Sequence, residues 1–275
     1  MSTLVKIKID EKEYEVPRGR YLLAICQENG IPIPTLCHHE SVEPWGGCRL
    51  CVVEFRKKRW DSWWTELATA CLYPAEDGLC VWTRSEKVMK ARRTILDLLL
   101  ARCPGSEVIT KIAAEHGVYQ TSFAKREGED NCILCGLCTR VCDRVGARAI
   151  ATALRGALKE VSTPFGEPPP DCLGCLSCAH VCPTHTIGHT EADGKRTVWG
   201  RTFELVRCSG CGAASVTREQ VEYAVRTKNL SPEYFVKCDA CKRRESAATF
   251  AGLLFDERKG GEGPVGPTGS GPSHE

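Results

Sequence analysis

Nineteen cysteines in 275 residues are the feature of this sequence that promises the most chemistry. Sixteen of them fall into three groups: four between residues 37 and 71, eight between 132 and 182, and four between 208 and 241. The chain begins MSTLVKIKID, with charges where a signal peptide needs an apolar core. We therefore predict a reducing, cytoplasmic setting, in which clustered thiols favour metal ligation over disulfides.

The strongest pattern is a pair of matching runs, NCILCGLCTRVC and DCLGCLSCAHVCP. Both have the spacing C-x2-C-x2-C-x3-C of bacterial two-cluster ferredoxins, in which the fourth cysteine of each run ligates the other cluster. Zinc prefers paired Cys-x-x-Cys knuckles, so two zinc sites are disfavoured here. We predict two [4Fe–4S] clusters, one held by Cys132, Cys135, Cys138 and Cys182, the other by Cys172, Cys175, Cys178 and Cys142.

The first group reads C-x10-C-x2-C-x19-C and consists of Cys37, Cys48, Cys51 and Cys71. Its first gap is longer than that of plant-type [2Fe–2S] ferredoxins. The stretches PTLCHHESVEPWGGCRLCVVEF, ATACLYPAEDG and TRSEKVMKARRTILDLLLARCP resemble the N-terminal β-grasp domain of the large iron–sulfur subunit of respiratory complex I. Related domains occur in NAD-linked hydrogenases and formate dehydrogenases. The resemblance covers roughly residues 1–104 and implies one [2Fe–2S] cluster on these four cysteines.

One departure from that family pattern concerns a second cluster, bound by a His and three cysteines after the helix. Cys103 occupies the His position here, and the following GSEVITKIAAEHG contains no cysteine. We therefore expect this cluster to be missing, with His116 a solvated residue. Cys26 and Cys80 lie in apolar settings and are predicted to be core residues. His38 and His39 are interpreted as loop histidines, with tuning of the neighbouring cluster as the alternative.

The last group, Cys208, Cys211, Cys238 and Cys241, reads C-x2-C-x26-C-x2-C. The knuckle RCSGCG resembles a zinc ribbon, in which a tetrahedral zinc would staple a segment too small to fold unaided. A third [4Fe–4S] cluster is the alternative. Acidic residues dilute the basic ones around these pairs, so nucleic-acid binding is disfavoured.

The elements that must position these cysteines predict an α+β chain of several small domains. We expect short strands at 4–9 and 13–16, a helix from Arg20 to Asn29, a helix capped by Ser85, and a helix from Thr217 to Arg226. The predicted domains are a β-grasp [2Fe–2S] domain (1–84), a helical connector (85–128), a two-[4Fe–4S] ferredoxin-like domain (129–200), a zinc-ribbon-like module (201–256) and a disordered Gly/Pro-rich tail (257–275).

Several clusters in series with no other chemistry indicate a conduit for single electrons. The sequence contains no G-x-G-x-x-G after a strand, no P-loop and no apolar run long enough for a membrane span. The two-run segment also resembles that of iron-only hydrogenases and NAD-linked hydrogenase diaphorase subunits. These resemblances imply a non-catalytic subunit of a hetero-oligomeric complex, between a flavin-containing NAD(P)H dehydrogenase-type subunit and a catalytic oxidoreductase subunit. A self-contained reductase and a metal-stabilised assembly or scaffold protein are the alternatives.

Overall fold

A computed structural model describes residues 3–59, 62–128 and 130–255. The chain divides into two compact units, Met1–Glu204 and Leu205–Glu275, and each is described by itself. The predicted disordered tail, 257–275, lies outside the described residues.

The first unit opens with a five-stranded mixed sheet and one short helix. The strands are β1 (Leu4–Ile9), β2 (Lys12–Pro17), β3 (Val52–Arg59), β4 (Ser62–Thr69) and β5 (Cys80–Trp82), in the order β2-β1-β5-β3-β4. β1 pairs in parallel with β5, and the other pairs are antiparallel. Val5, Ile7 and Ile9 alternate into the core, where helix α1 (Leu22–Glu28) covers them. The predicted opening strands, the helix and the α+β class are confirmed.

The β3–β4 hairpin carries a basic, tryptophan-rich stretch, FRKKRWDSWWTE. This stretch supplies most of both arms, with β3 and β4 paired from Val52–Thr69 to Arg59–Ser62. The Arg56 guanidinium stacks over Trp63, 4.6 Å from the ring centroid. One face of this indole ring is therefore covered by a residue of the same hairpin.

Two helices follow the sheet, and the first of them ends beside the first cysteine run, where Arg102 donates to Cys132 O. α2 (Glu86–Arg102) begins where Ser85 Oγ accepts a hydrogen bond from the Val88 N–H, at 3.3 Å, as predicted. α3 (Glu107–Glu115) is capped in the same way by Ser106. The helices share an apolar core with Leu36 and Leu50 of the N-terminal loop, so they hold that loop in place.

The two cysteine runs have matching local structure. In each run a cysteine loop passes through residues with positive φ and then enters a helix, α4 (Leu137–Val145) or α5 (Ser177–His180). Gly136 and Gly174, with φ of 69° and 65°, adopt the left-handed backbone without the cost of a Cβ, and the equivalent residues of the other run, Leu176 and Leu134, adopt it as well. The remaining elements are the hairpin of β6 (Ala151–Ala153) and β7 (Glu160–Ser162), then β8 (His189–Ala192) and β9 (Lys195–Val198), with β9 pairing the start of β10 (Arg201–Arg207).

The second unit contains a hairpin and two helices. The end of β10 pairs with β11 (Ala214–Thr217), and a capping box at Thr217 starts α6 (Arg218–Lys228). The last described element is α7 (Asp239–Phe255). The second Cys-x-x-Cys pair lies at the start of α7, whereas a ribbon would place it in another hairpin turn, so the module departs from the expected ribbon. No helix within the described residues is long and apolar enough to span a membrane.

Candidate metal centres

The four N-terminal cysteines converge under the sheet. Cys37, Cys51 and Cys71 are buried, and Cys48 is half-buried. The loop before Cys48 and the β3–β4 hairpin bring them together: Cys51 precedes β3, and Cys71 follows β4. Backbone N–H groups face the sulfurs, as where the N–H of Cys48 donates to Cys37 Sγ at 3.3 Å.

Their thiols lie in two hydrogen-bonded pairs, Cys37 with Cys48 and Cys51 with Cys71. The pKa of Cys37 is lowered to about 5, first by the hydrogen bond from the Cys48 side chain, then, against the effect of burial, by nearby N–H groups and the charge of Arg140. The pKa of Cys71 is lowered mainly by the Cys51 side chain. One thiol of each pair is thus poised to ionise, which metal binding requires.

The first cysteine run lines a cavity of about 330 Å³. Cys132, Cys135 and Cys138 face it from their own loop, and Cys182 faces it from the other run. The pKa of Cys132 is raised by burial, by Asp130 and by Cys182, and burial raises the pKa of Cys135 to about 11. The cavity thus brings Cys182 of the second run together with the three cysteines of the first-run loop.

The second run mirrors this arrangement. Burial, together with the charges of Cys175, Cys172 and Cys142, raises the pKa of Cys178 to about 11, against a hydrogen bond from Trp199 that lowers it. The pKa of Cys172 is also raised by burial and by Cys175 and Cys142. Cys142, the last cysteine of the first run, is therefore a neighbour of the second set.

Arginines that the sequence interpretation missed bind the outward-facing carbonyl groups of these loops. The loop N–H groups of Leu134 and Gly174 point at Cys132 Sγ and Cys172 Sγ, at 3.4 Å in both cases. Arginine side chains donate to carbonyl oxygens of the same loops: Arg102 to Cys132 O, Arg196 to Gly174 O and Arg201 to Cys172 O. Arg140 Nε donates to Gly136 O, which also accepts from the Arg140 backbone N–H. Arginine is already frequent around the runs, but the sequence does not show which carbonyl each one meets.

Cys103 lies in an apolar core and not at a cysteine site. It is buried among Leu96, Leu100 and Ile109, and burial raises the pKa of its thiol to about 12. His116 ends α3, where its Nδ1 lies 2.9 Å from the carbonyl oxygen of Ile112. Nothing in this arrangement gathers ligands for a His-plus-three-Cys cluster among the described residues.

The two remaining cysteines and the two histidines after Cys37 lie in different environments. Cys26 is buried in the core, as predicted, whereas Cys80 is half-buried in β5. His39 Nδ1 accepts a hydrogen bond from the Ser41 N–H at 3.1 Å, as a loop histidine does. His38 Nδ1 is buried next to Cys37 and has no hydrogen-bond partner among the described residues.

The four C-terminal cysteines form the tightest group. The sulfurs of Cys208, Cys211, Cys238 and Cys241 all lie within 4.8 Å of one another. The Cys238 N–H donates to Cys208 Sγ at 3.2 Å and is the main cause that lowers the pKa of Cys208 to about 6. Arg244 Nη2 donates to Cys241 Sγ at 3.0 Å, so a cation faces the thiol set. Both features favour thiolates.

Comparison with known proteins finds a family match for the N-terminal part of the chain. Residues 2–86 match the family described as 2Fe-2S iron-sulfur cluster binding domain. The N-terminal part of the chain is therefore a domain of this iron–sulfur family, and the predicted resemblance is confirmed.

Longer relatives are subunits of redox complexes. The chain is 29% identical over 247 residues to "NADPH-Fe(3+) oxidoreductase subunit alpha" of Geobacter sulfurreducens, covering 81% of this chain and 28% of that protein. It is 28% identical to a subunit of the NADH-quinone oxidoreductase of Rhizobium meliloti, over 76% of this chain and 27% of the relative. It is 30% identical to "NADP-reducing hydrogenase subunit HndD" of Solidesulfovibrio fructosivorans, over 69% and 37%. The chain thus spans well under half the length of these relatives.

A solved structure supports the same relationship. A chain of a NAD+-reducing [NiFe]-hydrogenase in the H2-reduced state aligns with a TM-score of 0.50 and 29% identity. The alignment covers 58% of this chain and 74% of the hydrogenase chain.

Proposed function

We propose that this chain is an iron–sulfur electron-transfer subunit that carries one [2Fe–2S] cluster, two [4Fe–4S] clusters and a structural zinc ion. Iron–sulfur clusters exchange one electron at a time, at potentials set by their ligands, hydrogen bonds and solvent exposure. The observation that carries the proposal is the crosswise gathering of the two runs, with Cys182 beside Cys132 and Cys142 beside Cys172. That exchange of fourth ligands is the arrangement of two-cluster ferredoxins.

The thiol pairs of the N-terminal site fit a [2Fe–2S] cluster. Four thiolates ligate its two irons, so two adjacent pairs are the arrangement that the cluster needs. Cys37 with Cys48 and Cys51 with Cys71 supply those pairs. The buried Nδ1 of His38 provides a further polar atom beside the site.

Sulfur spacing favours zinc over a third cubane at the C-terminal site. Tetrahedral zinc with Zn–S bonds of about 2.3 Å places its sulfurs about 3.8 Å apart. Cys211 Sγ and Cys238 Sγ are 3.6 Å apart, and the four sulfurs are mutually within 4.8 Å. Four thiolates on the separate irons of a cubane would lie further apart, so we assign a mononuclear ion to Cys208, Cys211, Cys238 and Cys241.

The N-terminal site and the first run lie next to each other, which suits a relay. Cys37 and Cys135 belong to one buried cluster with Leu137, and Cys48 packs against it. Cys178 in turn contributes to the charge around Cys138, so the two cubane sites are neighbours. These contacts support the order of sites that we propose: N-terminal, first run with Cys182, second run with Cys142.

We propose that the partners are a flavin-containing subunit that oxidises NAD(P)H and a catalytic oxidoreductase subunit of a cytoplasmic complex. The printed names of the relatives, an NADPH-Fe(3+) oxidoreductase, an NADH-quinone oxidoreductase and an NADP-reducing hydrogenase, support a pyridine-nucleotide-linked assembly. Purification of the tagged native complex without oxygen tests this. A co-purifying flavoprotein that reduces this chain with NADH or NADPH is the expected result, and isolation of the chain alone with no such reduction contradicts it.

Exchange of one cysteine at a time tests the crosswise assignment. Cys182→Ser lies in the second run, yet it should remove the electron paramagnetic resonance (EPR) signal of the first-run cubane. Cys142→Ser should remove the signal of the second-run cubane, and Cys103→Ser, a buried cysteine outside the sites, should remove neither. Loss of the second-run signal in Cys182→Ser would show that each run holds its own cluster and would contradict the proposal.

A further inference from the structure

Arg140 joins two cysteine loops that belong to different sites. It lies on α4 between Cys138 and Cys142, and Nε donates to Gly136 O of the first run at 3.1 Å. Nη2 donates to Cys37 O at 3.0 Å, and Nη1 donates to Glu43 O in the same N-terminal loop. A single guanidinium therefore binds the first cubane loop and the loop of the [2Fe–2S] site, whose Cys37 lies 103 residues earlier.

The geometry uses a property that only arginine has. Its planar guanidinium carries five N–H donors in a rigid fork, so it holds three acceptors at fixed mutual positions. Lysine carries its charge at one flexible point and does not impose that spacing. Because all three acceptors are backbone carbonyl groups of the two loops, the fork fixes backbone relative to backbone.

The loops meet where Arg140 binds them. Cys37, Cys135 and Leu137 are buried in one cluster, 2%, 8% and 2% exposed. Gly47, next to Cys48, faces the first run, since a Cβ there would be in ordinary van der Waals contact with the carbonyl oxygen of Cys135, at 3.8 Å. A small change in loop spacing at this point changes the separation of the two sites directly.

We infer that Arg140 is a positioning residue that sets the spacing, and hence the electronic coupling, between the [2Fe–2S] site and the first-run cubane. The inference rests on the proposed function, since both clusters must be bound for the coupling to exist. Arg140 also places a positive charge beside Cys37 and the Gly136 turn, which stabilises the more negative reduced state at both sites. Geometry and charge are separable, because Arg140→Lys keeps the charge and removes the fork.

Two other arginines serve as matched controls. Arg102 binds the first run alone, donating to Cys132 O at 2.8 Å. Arg144 follows Arg140 by one helical turn on α4 and is exposed, so its replacement removes a nearby charge and leaves the three carbonyl contacts intact. Arg102→Met therefore tests one loop only, and Arg144→Met tests charge alone.

The test compares Arg140→Lys, Arg140→Met, Arg102→Met and Arg144→Met in the full chain, purified without oxygen. Iron per chain is measured first. EPR then gives the midpoint potential of each cluster and the faster relaxation that the [2Fe–2S] signal acquires when the first-run cubane is also reduced. If the unaltered chain shows no [2Fe–2S] or cubane signal, the proposed function fails, and this outcome is distinct from any effect of Arg140.

We expect full iron in Arg140→Lys, a loss of the relaxation enhancement and a [2Fe–2S] potential close to that of the unaltered chain. Arg140→Met is expected to lose the enhancement and also to lower both potentials. Arg144→Met and Arg102→Met should keep the enhancement. The inference is overturned if both Arg140 variants keep it, if either control loses it to the same extent, or if Arg140→Lys loses iron from both sites, because Arg140 would then act in folding and not in spacing.

Discussion

The indole N–H of Trp199 points at the sulfur of Cys178, with 3.5 Å between Nε1 and Sγ. Trp199 directly follows β9, and it packs against the small core of Val198 and Phe203, so the ring is held in this direction. A hydrogen bond to a ligand sulfur stabilises the reduced cluster, which carries one more negative charge. This contact links the packing of a short strand to the chemistry of the proposed second cubane site.

Trp199→Phe removes that donor and keeps most of the ring. The midpoint potential of the second-run cubane is expected to fall by about 40 mV, which corresponds to about 1 kcal/mol for one hydrogen bond and one electron. EPR-monitored redox titration measures the shift, and the [2Fe–2S] potential should not move. Trp63→Phe, on the β3–β4 hairpin, is the control. An equal shift in both variants would remove the assigned role of Trp199.

Gly46 provides a test of the N-terminal loop. Its φ is +67°, and a Cβ there would lie 2.5 Å from Cδ1 of Leu72, the residue after Cys71. Gly46→Ala is expected to destabilise the domain by about 1–2 kcal/mol through the left-handed backbone and, in addition, to lower [2Fe–2S] occupancy as Leu72 shifts. Iron content and chemical denaturation measure the two effects.

Gly78→Ala is the matched control for that change. Gly78 has a φ of +74° but open space around its Cβ position. The Gly78→Ala variant should show the same loss of stability from the left-handed backbone and should keep the [2Fe–2S] cluster. If both variants lose the cluster equally, the contact with Leu72 has no special effect on the site.

The grouping of the cysteines can be predicted from the sequence because ligand spacing is local. Each run places three thiols within seven residues, and the positive φ of Gly136 and Gly174 completes the turn. The first strand of the N-terminal sheet could also be predicted from the sequence, because Val5, Ile7 and Ile9 alternate with more exposed residues.

The missed features depend on distant partners. The contact of Arg140 with Cys37 joins residues 103 positions apart, and that of Arg102 with Cys132 joins residues 30 positions apart. No local sequence pattern predicts either contact. In the β3–β4 hairpin, charged residues such as Lys57 and Lys58 hide the alternation of a strand, because this part of the sheet lies beyond the core. The spacing of the C-terminal Cys-x-x-Cys pairs is enough to predict a metal site. It does not determine the secondary structure that carries the second pair, which could be a ribbon hairpin or, as observed, the start of α7.

Removal of one C-terminal thiol should show whether this site binds zinc or an iron–sulfur cluster. Cys238→Ser is expected to lose the proposed zinc ion and to unfold the second unit locally, because that ion would hold the β10–β11 hairpin to the start of α7. Iron content should stay unchanged. Metal analysis and hydrogen exchange of residues 205–255 measure this, with Cys80→Ser as the control. Loss of four irons in Cys238→Ser would assign a cubane to this site.

Cys103 gives the complementary prediction for a cysteine outside the sites. Because it is buried among aliphatic side chains, Cys103→Ala should cost about 1 kcal/mol of stability through lost packing and should retain all metal. Denaturation and metal analysis of the same sample measure both. A loss of iron in this variant would instead show that Cys103 is a cluster ligand, and would contradict its assignment as a core residue.

The most direct test of the account is the metal and acid-labile sulfide content of the chain purified without oxygen. We expect about ten irons, from two, four and four, with an equal amount of sulfide and one zinc per chain. A folded chain that binds neither iron nor sulfide when both are supplied would contradict the assignment of the twelve cysteines and the electron-transfer function with it.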